Sequence, residues 1–207
     1  MYGNRLAGFG ACYNMPSVAQ PQAGAAPQIR CVEVADLRVA RSGGRLTVQG
    51  FRIAGNMARD KEQKFRKRFV EPMHKNSLGQ KLLQTVNAGP FSVSIAWGND
   101  NFGLNGTIAM DRDRSLDGRG SHAVIFLDEK APDLNKLETV RNYPDVLLFH
   151  ELIHALQIQS GAAIGNEKES EHRVIGIGDY TKCGLTENAY RKSRGLPFRC
   201  CWDRESL

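Results

Sequence analysis

The chain has 207 residues, of which 41% are hydrophobic and 24% are charged, and its formal net charge is +6. This length and composition predict one soluble globular domain with a sizeable core. No apolar run approaches the roughly 20 residues that span a bilayer, so no membrane-spanning helix is expected. The five cysteines are odd in number and lack C-x-x-C spacing, so a disulfide framework and a cysteine-rich zinc site are both disfavoured.

The first 30 residues differ in composition from the rest of the chain. They are rich in Gly, Ala, Gln and Pro, contain no acidic residue, and lack the continuous apolar core of a Sec signal peptide. Such a segment cannot bury enough apolar surface to fold. We therefore expect a flexible leader over residues 1–30 and a folded domain over residues 31–207.

Alternating and periodic patterns follow the leader. Alternation at residues 31–39 and 45–51 predicts two short strands joined by the Ser-Gly-Gly turn at 42–44. The next predicted elements are two helices, near 57–70 and 77–87, and three strands, at 91–97, 107–110 and 122–127.

The predicted helix near 57–70 is strongly basic. A solvated amphipathic helix face is the favoured interpretation, and a docking surface for an acidic partner or for nucleic acid is the alternative. Aromatic residues do not interleave with the basic ones as a stacking surface for single strands requires, so nucleic acid is a disfavoured partner.

Residues 145–159 contain neither Gly nor Pro, and their apolar positions recur as on a buried helix. This helix is expected to begin near Pro144 and to end by Ser160 and Gly161. The stretch beyond it, up to Tyr180, is charged and predicted to be irregular, and a short helix follows near 186–192. Strands followed by helices predict an α+β fold.

Residues 150–154 of the buried helix are His-Glu-Leu-Ile-His. Residues four apart share one helix face, so His150 and His154 can reach one ion, while Glu151 is placed to contact water on that ion. In zinc hydrolases the metal acidifies water, a carboxylate takes the proton, and hydroxide attacks a polarised carbonyl. The pattern therefore predicts a zinc site with Glu151 as the general base.

The five-residue pattern also occurs by chance, usually on a solvated helix face. Here it is embedded in apolar residues, and burying His, Glu and His together is costly unless something satisfies them. A metal ion would satisfy all three.

A catalytic zinc typically has three protein ligands and one water, so a third ligand must follow His154. His172 lies well beyond the short spacing at which some proteases place a third His, although it remains a competitor. The acidic candidates are Glu167, Glu169, Glu171, Asp179 and Glu187.

Five segments together resemble the NleD-type zinc metallopeptidases, type III secreted effectors of Gram-negative pathogens. The segments are residues 77–83 (SLGQKLL), 150–157 (HELIHALQ), 171–176 (EHRVIG), 185–191 (LTENAYR) and 195–199 (GLPFR). The HELIHA run is also similar to the helix of clostridial neurotoxin light chains, where a later helix supplies the third ligand from a Glu-Leu-Arg-Thr-type segment. Glu171 and Arg173 match that segment, whereas His172 and Val174 depart from it.

This resemblance implies a small zincin-like metalloprotease domain with a mixed sheet and one Zn²⁺ per chain, held by His150, His154 and Glu171. It implies that Arg173 is a neighbour or structural partner of the ligands. Glu187, Asn188 and Arg191 would form a polar helix face that orients a ligand histidine or holds the substrate.

Further catalytic groups are expected among the tyrosines. Tyr180 and Tyr190 are each candidates to donate a hydrogen bond to the developing oxyanion. Arg191 is a further candidate for a catalytic residue. A packed aromatic ring with a satisfied hydroxyl is the alternative for either tyrosine.

The resemblance further implies an endopeptidase that a type III system delivers into the host cytoplasm. Its substrates would be mitogen-activated protein kinases or their plant counterparts, cut in the activation loop, and a secretion chaperone would bind the leader. The predicted strand at 122–127 would take the substrate in extended form. The alternative function is a non-catalytic binding module that contains zinc and docks an acidic host partner.

Overall fold

A computed structural model describes residues 51–53, 59–98, 105–128 and 142–201. Over these ranges the chain is a mixed α+β structure, which confirms the α+β part of the predicted fold. The predicted leader at 1–30, the predicted strand at 31–39 and all but the last residue of the predicted strand at 45–51 lie outside the described residues.

The described strands form one mixed sheet in the order β1-β2-β4-β3. They are β1 (Phe51–Ile53), β2 (Val93–Gly98), β3 (Gly106–Ala109) and β4 (Ala123–Asp128). Strands β1, β2 and β4 run parallel, while β3 pairs with β4 in the antiparallel direction. Alternate residues of β2 and β4, such as Ile95 and Ile125, face the core, as the period of two in their sequences predicts.

The sheet order corrects the expectation that the strand at 122–127 takes a substrate. Strand β4 lies between β2 and β3, so its backbone groups are paired on both sides. Strand β3 lies at the edge of the described sheet instead.

The helices include the four predicted from the sequence, together with short helices that were not predicted. They are α1 (Arg59–Phe65), a π-helical segment (Arg66–Val70), α2 (Glu71–His74), α3 (Ser77–Ala88), α4 (Arg112–Leu116), α5 (Pro144–Gln159), α6 (Glu167–Ile175) and α7 (Glu187–Ser193). No helix in these ranges has the length and apolar character needed to cross a membrane.

Helix α5 is the centre of the core. It packs on β3 and β4 of the sheet and, on its other sides, on α3, the π-helical segment, α6 and α7. Leu148, Phe149, Leu152 and Ala155 have no exposed surface, because the sheet and the neighbouring helices cover α5 on several sides. Each buried Leu or Phe side chain contributes roughly 1.5–3 kcal/mol, which holds the helix firmly in place.

Helix α6 was not predicted, and it corrects the expectation of an irregular stretch up to Tyr180. The Asn166 side chain caps its first turn by accepting from the Glu169 amide at 3.0 Å, and Gly176 ends it with φ of 82°. The first two turns carry solvated polar residues and only the end is buried, so the segment has little apolar periodicity to detect. A short 3₁₀ turn, Gly178–Tyr180, follows.

Candidate metal centre

Helix α5 brings two histidines together inside the domain. His150 is 7% exposed, and its Nε2 lies 3.2 Å from the Nε2 of His154, one turn further along. The helix begins at Pro144, which suits a first turn, and ends before Ser160, as its sequence predicts.

Helix α6 adds Glu171 to this pair. Its Oε1 lies 3.0 Å from His154 Nε2, and its Oε2 lies 3.4 Å from His150 Nε2. His150, His154 and Glu171 therefore form a group that could hold a metal ion. In the part of the chain described, His172 does not belong to this group, although it is the next residue on α6.

The ring orientations of the histidines fit a metal ion between them. His150 Nδ1 lies 2.8 Å from Glu187 Oε2, and His154 Nδ1 lies 3.4 Å from Ser170 Oγ. Both Nε2 atoms therefore face Glu171. For metal–ligand bonds of about 2.0–2.1 Å, tetrahedral geometry separates the ligand atoms by roughly 3.3–3.4 Å, close to the spacings of these three groups.

The electrostatics of the cluster favour a positive charge at its centre. Burial lowers the pKa of His150, but the hydrogen bonds and charges of Glu171 and Glu187 outweigh burial and raise that pKa to about 10. Burial raises the pKa of Glu171, but hydrogen bonds from His150 and His154 lower it well below its usual range. A cation bound between these groups would replace the proton that the carboxylates otherwise stabilise.

Glu187 orients the His150 ring through Nδ1, the nitrogen that faces away from Glu171. Both carboxylate oxygens of Glu187 also accept hydrogen bonds from arginines. Arg191 donates through Nε to Oε1 at 2.6 Å, and Arg199 donates through Nη1 to Oε2 at 3.2 Å. Glu187 is 2% exposed, and its pKa is lowered because the interaction with His150 and the two guanidinium charges outweigh its burial. It lies in the first turn of α7, where the helix dipole also favours a negative charge.

Asn188 does not contact the candidate ligands and instead binds the backbone of Arg199, whose side chain contacts Glu187. Its side chain accepts from the Arg199 amide and donates to the Arg199 carbonyl, both at 2.8 Å. This paired contact fastens the segment after α7 and sets the Arg199 guanidinium against Glu187. Arg199 was not among the predicted site residues, because no local pattern connects an arginine in a loop to a glutamate on the preceding helix.

Glu151 has a partner that the sequence did not indicate. The Thr107 hydroxyl on β3 donates to Glu151 Oε2 at 2.7 Å and lies 3.1 Å from the Glu151 carbonyl oxygen. Glu151 is 5% exposed, so this contact fixes the direction of a buried carboxylate. Helix α5 packs on β3 here, and strand pairing with β4 holds Thr107 in register.

Tyr190 does not reach the centre, which corrects its prediction as an oxyanion donor. The ring is fully buried and stacks on Phe149 with centroids 4.1 Å apart, and the hydroxyl donates to Asp145 at 2.7 Å. Burial and the contact with Asp145 raise the pKa of Tyr190. The tyrosine belongs to the core between α5 and α7.

The predicted catalytic role of Arg191 is corrected in the same way. Arg191 is 4% exposed, and it binds Glu187 and the Pro197 carbonyl instead of lining an open site. It positions the carboxylate that orients His150.

Tyr180 and Arg173 lie on the α6 side of the centre. The Tyr180 hydroxyl donates to Glu169 at 2.9 Å, and burial and Glu169 raise its pKa. Arg173 donates to the Ala162 carbonyl at 2.9 Å and so fastens α6 to the connection after α5. Arg173 is thus a structural partner of the ligand helix.

Comparison with protein-family models, with curated proteins and with solved structures finds no match to this chain. The function must therefore be inferred from the chemistry of the residues that converge on α5.

Proposed function

We propose that this protein is a zinc-dependent endopeptidase with a zincin-like active site. The observation that carries the proposal is the convergence of His150, His154 and Glu171 at spacings that suit one metal ion, on the helix where the Glu151 carboxylate accepts a hydrogen bond from Thr107. Two imidazoles and one carboxylate are a ligand set of catalytic zinc sites, in which a fourth position stays open. A purely structural site would give a buried Glu151 no role.

Each residue of the centre would have a separate role in peptide hydrolysis. His150, His154 and Glu171 would hold the zinc ion, which when bound polarises a peptide carbonyl and acidifies water. Glu151 would accept the proton of the attacking water and pass it to the leaving amine. Thr107 would fix the orientation of the Glu151 carboxylate. Glu187 and Ser170 would fix the orientations of the His150 and His154 rings.

Strand β3 is the proposed docking edge for a peptide substrate. It lies at the edge of the described sheet, and its Thr107 contacts the proposed general base directly. An extended peptide that pairs with this edge would run past Glu151 with its main chain fixed by hydrogen bonds. This assignment replaces β4, whose two sides are already paired.

The biological setting rests on the resemblance to the NleD-type metallopeptidases. We propose that a type III system delivers the protein into the host cytoplasm, where it cleaves host proteins. By that resemblance the substrates are mitogen-activated protein kinases or their plant counterparts. The matching residues at 150–157 and 171–176 include the proposed ligands. Those at 185–191 and 195–199 include Glu187, which contacts His150, and Arg199, which contacts Glu187.

The deciding experiment compares the wild-type protein with Glu151→Gln and Glu151→Ala. Extract of host cells is incubated with each protein after zinc loading, and newly formed peptide termini are identified by mass spectrometry. We expect all three proteins to hold about one zinc and only the wild type to produce new termini, because general-base loss typically costs 10²–10⁴-fold in rate. Equal zinc content without cleavage by the wild type would instead favour a non-catalytic binding module.

A further inference from the structure

A cavity of about 300 Å³ lies on the His154 side of the candidate centre. Thr107 and His154 line it, so it borders both the contact that holds the proposed general base and a proposed metal ligand. The other walls come from α4, from the end of α5 and from the connection between α5 and α6. The cavity therefore borders the candidate centre on the side of His154 and Thr107.

The lining of this cavity combines polar side chains with six apolar ones. Ile108, Ala109, Leu116, Ile158, Ala163 and Ile164 contribute to it. Ile108 is 49% exposed and Leu116 is 40% exposed, and Met110 directly after β3 is 66% exposed. These are three of the four large hydrophobic side chains that the described residues expose. Apolar surface gathered at one place beside a cavity marks a binding site.

The charges around the cavity restrict what it can take. Arg112 lines it, whereas none of the lining residues that the structure describes is a carboxylate. A basic side chain would meet Arg112 and find no counter-charge, which costs free energy in a partly dehydrated pocket. An apolar side chain would bury surface against Ile108 and Leu116, which favours its binding.

We propose that this cavity is a specificity pocket for a large apolar side chain of the substrate, next to the scissile bond. The inference rests on the proposed peptidase function, because it assumes a peptide on the edge of β3. A volume of about 300 Å³ is at the lower end for small-molecule sites, which suits one side chain rather than a whole ligand. The pocket would favour Phe, Leu, Met or Ile and reject Lys and Arg.

Gly165 offers a way to fill the pocket without strain. It lines the cavity, its φ is outside the left-handed region, and an added Cβ would meet only Leu116 Cδ2, at 4.0 Å. Gly184 is a matched control, because it is also outside the left-handed region, its added Cβ would meet nothing within 4 Å, and it does not line the cavity. Gly165→Leu should fill the pocket, and Gly184→Leu should not.

The test digests a defined mixture of synthetic peptides with zinc-loaded protein and reads the cleaved bonds by mass spectrometry. For the wild type and Gly184→Leu we expect large apolar residues at one position beside the cut. For Gly165→Leu, the ratio of kcat/KM for a Phe peptide to that for the matching Ala peptide should fall at least about tenfold. A second readout is the binding of the same labelled peptides to the Glu151→Gln forms by fluorescence anisotropy.

The outcomes separate this inference from the proposed function. Absence of both cleavage and peptide binding by zinc-loaded wild type would overturn the peptidase proposal itself. Cleavage with identical preferences in Gly165→Leu and Gly184→Leu would overturn the pocket alone. If Gly165→Leu fails to fold, Gly165→Ala decides, since its single methyl group packs on Leu116 and should shift the preference in the same direction by a smaller factor.

Discussion

Glu187 Oε2 lies 2.8 Å from Nδ1 of His150, so a buried carboxylate on α7 determines which nitrogen of a histidine on α5 faces Glu171. The carboxylate is fixed in turn by Arg191 and Arg199. Removing His150, Arg191 or Arg199 would leave the buried Glu187 carboxylate with one partner fewer. The candidate centre is therefore supported by a network that extends across the domain to the segment after α7.

Loss of one ligand should abolish tight metal binding. In His154→Ala and Glu171→Ala only two ligands remain, and such a site competes poorly with water and buffer. We expect about one zinc per chain in the wild type and almost none in either variant, measured by elemental analysis after dialysis. His172→Ala is the matched control and should keep its zinc. Loss of zinc in His172→Ala but not in Glu171→Ala would reassign the third ligand.

Removal of the orienting carboxylate should weaken the metal without abolishing its binding. Glu187→Ala should lower zinc affinity about 10–100-fold, the usual cost of losing a partner of a ligand histidine. The variant should also lose about 3–5 kcal/mol of stability, because Arg191 and Arg199 would lose their buried counter-charge. A competing chromophoric chelator measures the first effect and denaturant unfolding measures the second. Unchanged zinc affinity in a folded Glu187→Ala protein would contradict this role.

Thr107 should affect turnover more than substrate binding. Thr107→Val keeps the shape but removes the hydroxyl that fixes Glu151, so we expect kcat to fall about 10–100-fold, as for the loss of a hydrogen bond to a charged group. KM and zinc content should stay near the wild-type values. Thr107→Ser restores the hydroxyl and should restore most of kcat. A loss confined to KM would mean that Thr107 holds substrate instead.

Tyr190→Phe should change stability and leave catalysis almost intact. Buried Asp145 would lose its 2.7 Å donor, which costs about 1–3 kcal/mol in the free energy of unfolding. Because the ring is buried against Phe149, kcat/KM should stay within about twofold. A large loss of kcat at unchanged stability would restore Tyr190 as an oxyanion donor.

Much of the candidate site follows from local sequence. The limits of α5 were predictable because Pro144 suits a first turn and Gly161 follows the last, and the apolar run between them cannot be exposed. Within such a helix the spacing of His150 and His154 fixes their common face. The two histidines lie about one helical turn apart, and the signals at the helix ends are local, so neither depends on the rest of the fold.

Other features depend on residues that only tertiary packing brings together. Thr107 reaches Glu151 across 44 positions of sequence, and Glu187 reaches His150 across 37. No periodic pattern encodes such contacts, because they exist only after α5 is packed between β3 and α7. The same holds for the position of β3 at the sheet edge and for the burial of Tyr190. The sequence by itself determined the helix and the candidate ligands it carries; the packing decided which side chains orient those ligands and which strand lies at the edge of the described sheet.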